Sequence, residues 1–256
     1  MHSKSYNRRQ FLLGSGAVIV STAIPIVGRG DEIPEDYSTP RVLSRSQWSA
    51  RPAKYDPKWH YYDNRNVIEY LVIHHTATIP DLGTNPTVWS IQDAHMGSKG
   101  YLDIAYNEVI AKNGWCYMGR DWQTMGAAVG PSIESQQKHK TYGYLIHPQR
   151  SLNYGTYNIC LIGDFTLERP EDKQVEMLLE RIITLADQFP NITPERIIGH
   201  KDAKIIANAR GVRPSKKSMT LCPGNIDDVI GKCRKTLENY RKLDLSDNLV
   251  ASLLHS

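Results

Sequence analysis

Residues 67–77 have the sequence Val-Ile-Glu-Tyr-Leu-Val-Ile-His-His-Thr-Ala. Because β-branched, aliphatic and aromatic residues dominate the run before the histidines, it predicts a buried β-strand. Successive side chains of a strand point to opposite faces, so only one of His74 and His75 can easily face a given site. The stretch alone leaves two interpretations open. Either the strand ends in a proton acceptor or metal ligand at the rim of a sheet, or one histidine is a satisfied core residue and the other is solvated.

The length and charge of the chain restrict its architecture and its partners. With 256 residues it can form one large core and at most two domains, and its 23% charged and 40% hydrophobic residues are ordinary for a globular protein. Residues 1–29 contain four basic residues and no acidic residue, which leaves 27 basic and 27 acidic residues in the remainder. The body is therefore neutral, and we expect no nucleic-acid partner.

The four cysteines are too few for a disulfide scaffold in a chain of this length, and none belongs to a Cys-x-x-Cys pair. Cys233 falls among apolar residues at helical spacing, which indicates a core position. We expect Cys116 and Cys160 to be buried thiols rather than a disulfide. Cys222 differs from the others because it stands in the sequence Cys-Pro-Gly, just before the last predicted helix.

Residues 7–13, Asn-Arg-Arg-Gln-Phe-Leu-Leu, resemble a twin-arginine export signal. The apolar run that follows is interrupted by small and polar residues, which makes it a poor membrane span and a suitable signal core. We therefore expect residues 1–30 to be a signal peptide and residues 31–41 a linker. The predicted partner is the twin-arginine export machinery, and the predicted location is periplasmic or secreted. The alternative is a basic tail before an amphipathic helix.

Strands and helices alternate in a mixed order after residue 42, which favours an α/β or α+β domain with one central sheet. Of the two we expect the α/β form, a single domain with a central mixed β-sheet flanked by α-helices. The predicted elements are strand 67–77, a helix from Asn85 to Gly97, strand 104–111 with its hairpin partner 115–119, strand 157–163, a helix from Pro170, a turn at 193–195, and a last helix with Pro223 in its first turn. The domain is expected to span residues 42–240, with an inserted loop at 131–152 and a tail at 241–256. We expect a monomer.

His74, His200 and Cys222 each stand where a predicted element meets a loop, the usual place for a site. Two imidazoles and a thiolate suit zinc, and three protein ligands with an open fourth position are typical of a catalytic zinc site. Cys222 is expected at a helix N-terminus, where the helix dipole favours the thiolate. Asp202 is a candidate for orienting an imidazole. Spacing alone does not assemble this set, and three unrelated buried residues remain the alternative.

Recognisable motifs connect these residues. Residues 71–77, 199–202 and 220–224 resemble the motifs of the zinc N-acetylmuramoyl-L-alanine amidases, a family that includes animal peptidoglycan recognition proteins and phage amidase lysozymes. Three further segments, 44–51, 91–96 with 103–107, and 158–165, are similar to other segments of that family. All six motifs stand in the order that the family has. The resemblance extends from residue 42 to about residue 240.

The resemblance implies a function and a set of roles. It implies that His74, His200 and Cys222 bind Zn²⁺, and that His75 is a structural neighbour. Tyr106 would lie beside the water on zinc, and Thr220 would lie near the oxyanion of the reaction. The implied reaction is hydrolysis of the amide bond between N-acetylmuramic acid and L-alanine, with peptidoglycan or muropeptides as substrates.

The chain also departs from the family pattern. Relatives carry Gly-Ala-His or Gly-Ser-His after a Gly-Arg-x-Trp turn, whereas here residues 119–122 are followed by Gly126-Ala127-Ala128. The inserted loop and this missing histidine concern substrate detail more than the metal. Two other functions stay open, a non-catalytic peptidoglycan-binding protein and a zinc hydrolase acting on another amide. Retention of Cys222 favours the enzyme, because binding-only relatives commonly lose that ligand.

Overall fold

The run before His74 forms an interior strand of a six-stranded sheet. The computed structural model describes residues 42–54, 61–78, 85–131, 148–213 and 220–254, and it describes no side chain at 85, 86, 148 or 244–254. The predicted signal peptide, the linker and most of the inserted loop lie outside these ranges. The strands are β1 (Val42–Leu43), β2 (Tyr70–His75), β3 (Glu108–Ile110), β4 (Cys116–Met118), β5 (Thr156–Leu161) and β6 (Ile197–Gly199).

The sheet is mixed, and its spatial order is β1-β4-β3-β5-β2-β6. Among these six strands, the hairpin pair β3–β4 is antiparallel, whereas β1 pairs with β4, β3 with β5, and β2 with both β5 and β6 in parallel. Every residue of β2 and β5 is buried, as expected for parallel strands that are covered on both faces. The predicted fold class, an α/β domain with a central mixed sheet, is confirmed.

Helices cover both faces of the sheet. They are α1 (Asn85–Met96), α2 (Asp172–Gln188), α3 (Lys204–Ala209) and α4 (Asp227–Leu254). Leu71 and Ile73 of β2 pack into the same core as α2 and α4, whereas Val72 packs with the buried residues of α3. Strand alternation therefore puts His74 on the Val72 face and His75 on the Ile73 face. None of the helices, over the residues described, is long and apolar enough to cross a membrane.

The predicted start of one strand and the predicted start of one helix were wrong. Strand 104–111 is shortened to Glu108–Ile110, because the buried Arg120 side chain binds the carbonyl oxygens of Asp103 and Ile104 and holds that segment as a loop. The helix predicted from Pro170 begins at Asp172, since Glu171 is its N-cap and donates its backbone N–H to the Gln174 side chain at 3.1 Å.

The C-terminal region also differs from the prediction. The last helix begins at Asp227 rather than at Pro223, because Gly224 has a φ of 83°, which no helix accommodates. The same helix continues to Leu254, so the predicted tail is helical over most of its length. The predicted irregular stretch after residue 203 contains the short helix α3.

A charged pair lies within the main core. Glu108 has no exposed surface, and its carboxylate accepts hydrogen bonds from Arg181 Nε at 3.0 Å and Nη2 at 2.7 Å. The Tyr157 hydroxyl donates to the same carboxylate at 2.7 Å. A buried ion pair with this many hydrogen bonds is tolerated, but removal of one partner leaves an unpaired charge.

Glu108→Leu is therefore expected to lower the free energy of unfolding by about 3–5 kcal/mol, because it leaves the Arg181 guanidinium in the core without its charged partner. Urea denaturation of the single and double variants measures this loss. Glu108→Leu combined with Arg181→Met should be more stable than Glu108→Leu alone. Additive losses in the double variant would show that the two side chains do not act as a pair.

Candidate metal centre

The register of the parallel strands brings His74 and His200 together. His74 is the fifth residue of β2, and His200 follows β6 directly, with Ile73 paired to Gly199. The carboxyl ends of neighbouring parallel strands lie on the same side of the sheet, called here its carboxyl edge. Both imidazoles emerge at this carboxyl edge. Their ring centroids are 4.7 Å apart.

The chain returns to this edge through the turn that carries Cys222. The Lys201 backbone N–H donates to the Cys222 carbonyl at 2.6 Å, and the Cys222 thiol sulfur accepts from the His75 N–H at 3.3 Å. Gly224 is required next in the chain, because a Cβ there would lie 2.4 Å from the Phe165 backbone. Cys222 Sγ lies 3.7 Å from His74 Nδ1, and the ligand atoms of His74, His200 and Cys222 all lie within 4.8 Å of one another.

Hydrogen bonds fix which nitrogen of each imidazole is free. His74 Nε2 lies 3.0 Å from Asn158 Oδ1, while Asn158 Nδ2 faces only oxygen acceptors, so the amide oxygen must accept from His74. His200 Nε2 lies 3.0 Å from the Val129 carbonyl, which can only accept. Both histidines therefore carry their proton on Nε2 and present the Nδ1 lone pair for a ligand.

Burial keeps all three side chains uncharged in the free protein. It lowers the pKa of His74 well below its usual value, with the neighbouring His200 adding to the effect. Burial also lowers the pKa of His200. It raises the pKa of the Cys222 thiol to about 12, although the His75 N–H partly offsets this. The prediction that a helix dipole favours the Cys222 thiolate was wrong, because α4 begins five residues further on.

Two neutral imidazole nitrogens and one thiol form a donor set that suits Zn²⁺, provided that the thiol loses its proton on binding. The three side chains fit that ion in donor type and in mutual distance. His74, His200 and Cys222, predicted as metal ligands, are thus brought together by the fold. Zinc binding itself is taken up as a proposal below.

Tyr106 lies against the cluster, as its predicted role requires. Its ring centroid is 5.3 Å from that of His74. Burial raises the pKa of its hydroxyl well above the usual value, so the phenol is protonated and can donate a hydrogen bond. The His95 ring lies 5.4 Å from that of Tyr106, and its Nδ1 accepts the Ala105 N–H, so His95 has a structural role. Burial lowers the pKa of His95 to about 3, so it stays neutral.

Thr220 and His75 support the Cys222 turn from two sides. The Thr220 hydroxyl oxygen accepts the Cys222 N–H at 3.1 Å, which leaves the hydroxyl proton available to another acceptor. His75 Nδ1 accepts the Phe165 N–H at 3.2 Å on the opposite face of the sheet. The His75 side chain is therefore separate from the ligand cluster, in keeping with its expected structural role, and the contact of His75 with the Cys222 sulfur is made by its backbone.

Sequence reasoning missed the two groups that orient the histidines. Asp202 was a candidate for orienting an imidazole, but the partners are Asn158 for His74 and the Val129 carbonyl for His200. A backbone carbonyl from a distant loop leaves no signal in the sequence. Asn158 did leave one, since a polar residue in the middle of a strand as apolar as β5 must find a buried partner.

The arrangement defines a candidate metal centre at the carboxyl edge of an α/β sheet. Residues 63–225 match the amidase-2 family, which is described as N-acetylmuramoyl-L-alanine amidase. The match covers more than half of the chain, and the protein belongs to this family.

Curated relatives include recognition proteins and an enzyme. Peptidoglycan-recognition protein SC1a of Drosophila melanogaster is 37% identical over 89 residues, which are 34% of this chain and 45% of that protein. The N-acetylmuramoyl-L-alanine amidase of Sus scrofa is 24% identical over 168 residues, which are 63% of this chain and 24% of that protein. The matched part thus spans less than half the length of each of these relatives.

The fold is similar to that of Drosophila PGRP-LB. The wild-type structure superposes with a TM-score of 0.50 at 27% identity and covers 73% of this chain and 89% of that chain. A mutant of PGRP-LB in complex with tracheal cytotoxin gives a TM-score of 0.50 at 25% identity, with 72% and 88% covered.

The uncharged thiol predicts a pH-dependent metal affinity. Zinc must displace the Cys222 proton while both histidines are already neutral, so one proton is released on binding. Affinity should therefore rise with pH, by about tenfold per unit between about pH 7 and pH 9. Competition with a chromogenic chelator across this range measures the slope. The residual affinity of Cys222→Ala should show no such slope, and a flat wild-type profile would contradict the assignment.

Proposed function

We propose that the protein is a zinc-dependent N-acetylmuramoyl-L-alanine amidase that cleaves the amide bond between N-acetylmuramic acid and L-alanine in peptidoglycan. The observation that carries this proposal is the complete ligand set, with Cys222 Sγ 3.7 Å from His74 Nδ1 and His200 beside them. Membership of the amidase-2 family and the relatedness to a porcine enzyme of that name support it.

Peptidoglycan fragments are the proposed substrates. PGRP-LB is similar in fold to this chain over most of its length, and a mutant of it has been solved with tracheal cytotoxin bound. A ligand of that class would reach the carboxyl edge of the sheet, where His74, Tyr106 and Thr220 lie. Muropeptides and intact peptidoglycan are therefore the substrates to test first.

The chain supplies the ligands and two hydrogen-bond donors for this reaction. His74, His200 and Cys222 would hold zinc, which as a Lewis acid would polarise the scissile carbonyl and acidify water. The protonated Tyr106 phenol can donate to the carbonyl oxygen as that oxygen gains negative charge. The Thr220 hydroxyl, whose oxygen already accepts from Cys222 N–H, can direct its proton to the same oxygen. Such preorganised donors act more strongly in a site that excludes water.

No carboxylate joins the three ligands in the cluster found among the described residues. A glutamate acting as general base is therefore not part of the proposal. Among the described residues, Tyr106 lies beside the cluster and carries a hydroxyl that can interact with the reacting atoms. Its high pKa favours a role as donor rather than as base.

We also propose that residues 1–30 direct export by the twin-arginine route, that residues 31–41 form a linker, and that residues 42–240 form the amidase domain. The family match at 63–225 lies inside that domain. Export is supported by the Arg8-Arg9 pair, which precedes an apolar run. Fractionation of cells that express the Arg8→Lys, Arg9→Lys variant tests the route, and unchanged export of that variant would rule it out.

The central experiment incubates the purified protein with peptidoglycan sacculi and identifies the products by mass spectrometry. Wild-type protein with zinc should release stem peptides that begin with a free L-alanine amine. Cys222→Ala should lose more than the roughly 10- to 100-fold that removal of an outer-shell partner costs, since it removes a ligand. Binding without cleavage would favour a recognition protein, and cleavage only of other amides would indicate a different hydrolase.

Tyr106→Phe tests the proposed donor. It should lower kcat by about 10²- to 10³-fold, as loss of one oxyanion donor does, and leave the zinc content unchanged. Tyr61→Phe is a suitable control, because Tyr61 is 63% exposed and its hydroxyl donates only to Gln123. Equal rates for wild type and Tyr106→Phe would remove Tyr106 from the mechanism.

A further inference from the structure

The Nε2 atoms of His74 and His200 belong to one hydrogen-bond network. Asn158, which accepts from His74, lies on β5 beside β2, with Val72 and Asn158 paired in register. Thr156 is two residues earlier on the same face of β5. Asn158 Nδ2 donates to Thr156 Oγ1 at 3.2 Å, so a hydroxyl fixes the amide nitrogen on the side away from His74.

The network continues from Thr156 to the second histidine. Thr156 Oγ1 donates to the Asn153 carbonyl at 2.9 Å. The Asn153 side chain accepts the Val129 N–H at 2.8 Å through Oδ1 and donates to the Gly130 carbonyl at 3.1 Å through Nδ2. Val129, held in this way, directs its carbonyl to His200 Nε2. The Nε2 atoms of His74 and His200 are thus connected through three side chains and through the backbone of Asn153 and Val129.

The direction of each hydrogen bond in the network is determined. The Thr156 hydroxyl has a single proton, and the Asn153 carbonyl takes it, so the hydroxyl can only accept from Asn158. This forces the oxygen of Asn158 toward His74. Asn153 and Asn158 have no exposed surface and Thr156 has 2%, so water does not compete and a broken link would leave an unsatisfied polar group in the interior.

We propose that Thr156 and Asn153 are positioning residues that hold the Nδ1 atoms of both histidines toward the metal. Thr156 does so through the orientation of the Asn158 amide, and Asn153 through the Val129 carbonyl. The proposal rests on the metal centre of the proposed function but on no step of the reaction.

The test reads the imidazole tautomers directly. Long-range ¹H–¹⁵N correlation spectra of the zinc-free full-length protein, labelled with ¹⁵N-histidine, distinguish Nε2–H from Nδ1–H rings. Wild-type His74 and His200 should both be Nε2–H. A wild-type spectrum with either ring protonated on Nδ1 would overturn the proposal without any variant.

Thr156→Val and Thr156→Ser form a matched pair. Valine keeps the shape of threonine but removes the hydroxyl, so His74 should populate both tautomers, and zinc should bind about tenfold more weakly, the lower end of the range for outer-shell changes. Serine keeps the hydroxyl and should preserve the wild-type tautomer and affinity. Asn153→Ala should shift the tautomer of His200 instead.

Gln174→Met is the control for loss of stability alone. Gln174 is a buried amide that donates to the carbonyls of Ile110 and Ile162, away from the histidines. It should lower stability without a change in tautomer or zinc affinity. If Thr156→Val behaves like Gln174→Met, the network is only structural and the proposal fails. Because the tautomers are measured without zinc or substrate, a protein that lacks amidase activity could still support the proposal, and an active amidase could still contradict it.

Discussion

The parallel pairing of β2 with β5 on one side and β6 on the other is the constraint on which the site depends. Parallel strands place their carboxyl ends at one edge of the sheet, so the residues at those ends meet without any contribution from long loops. His74 reaches that edge at the end of β2, and His200 reaches it directly after β6. Cys222 reaches the same place on a single turn of the chain. The backbone N–H groups of Lys201 and His75 hold this turn through hydrogen bonds.

A sheet buried on both faces has to satisfy every polar group that it contains, and this protein does so in two separate places. On the face covered by α2 and α4, Arg181 neutralises Glu108 and Tyr157 donates to it. On the opposite face, Asn158 donates to the Thr156 hydroxyl, which in turn donates to the Asn153 carbonyl. The first arrangement closes on itself and serves the core. The second ends on two imidazoles and therefore serves the site.

The sequence was most informative where local pattern and position coincide. The apolar run before His74 predicted a buried strand, and alternation correctly separated His74 from His75. The motifs that contain His200 and Cys222 predicted that these residues lie together with His74, although spacing alone could not. The rest was set by tertiary contacts. The start of α4 depends on how Gly224 meets Phe165, the environment of Cys222 depends on that turn, and the acceptor for His200 is a backbone carbonyl of Val129, which no side-chain pattern encodes.

Asn153 follows the inserted segment 131–152, and its side chain donates to the carbonyls of Gly130 and Pro131 at the other end of that segment. The two ends are therefore fastened together, and the length of chain between them has little thermodynamic consequence, since doubling a loop costs only about 0.6 kcal/mol. We therefore expect insertions or deletions within this segment to leave the two histidines in place. The fold thus separates a segment whose length is weakly constrained from the strand ends and the turn that hold His74, His200 and Cys222.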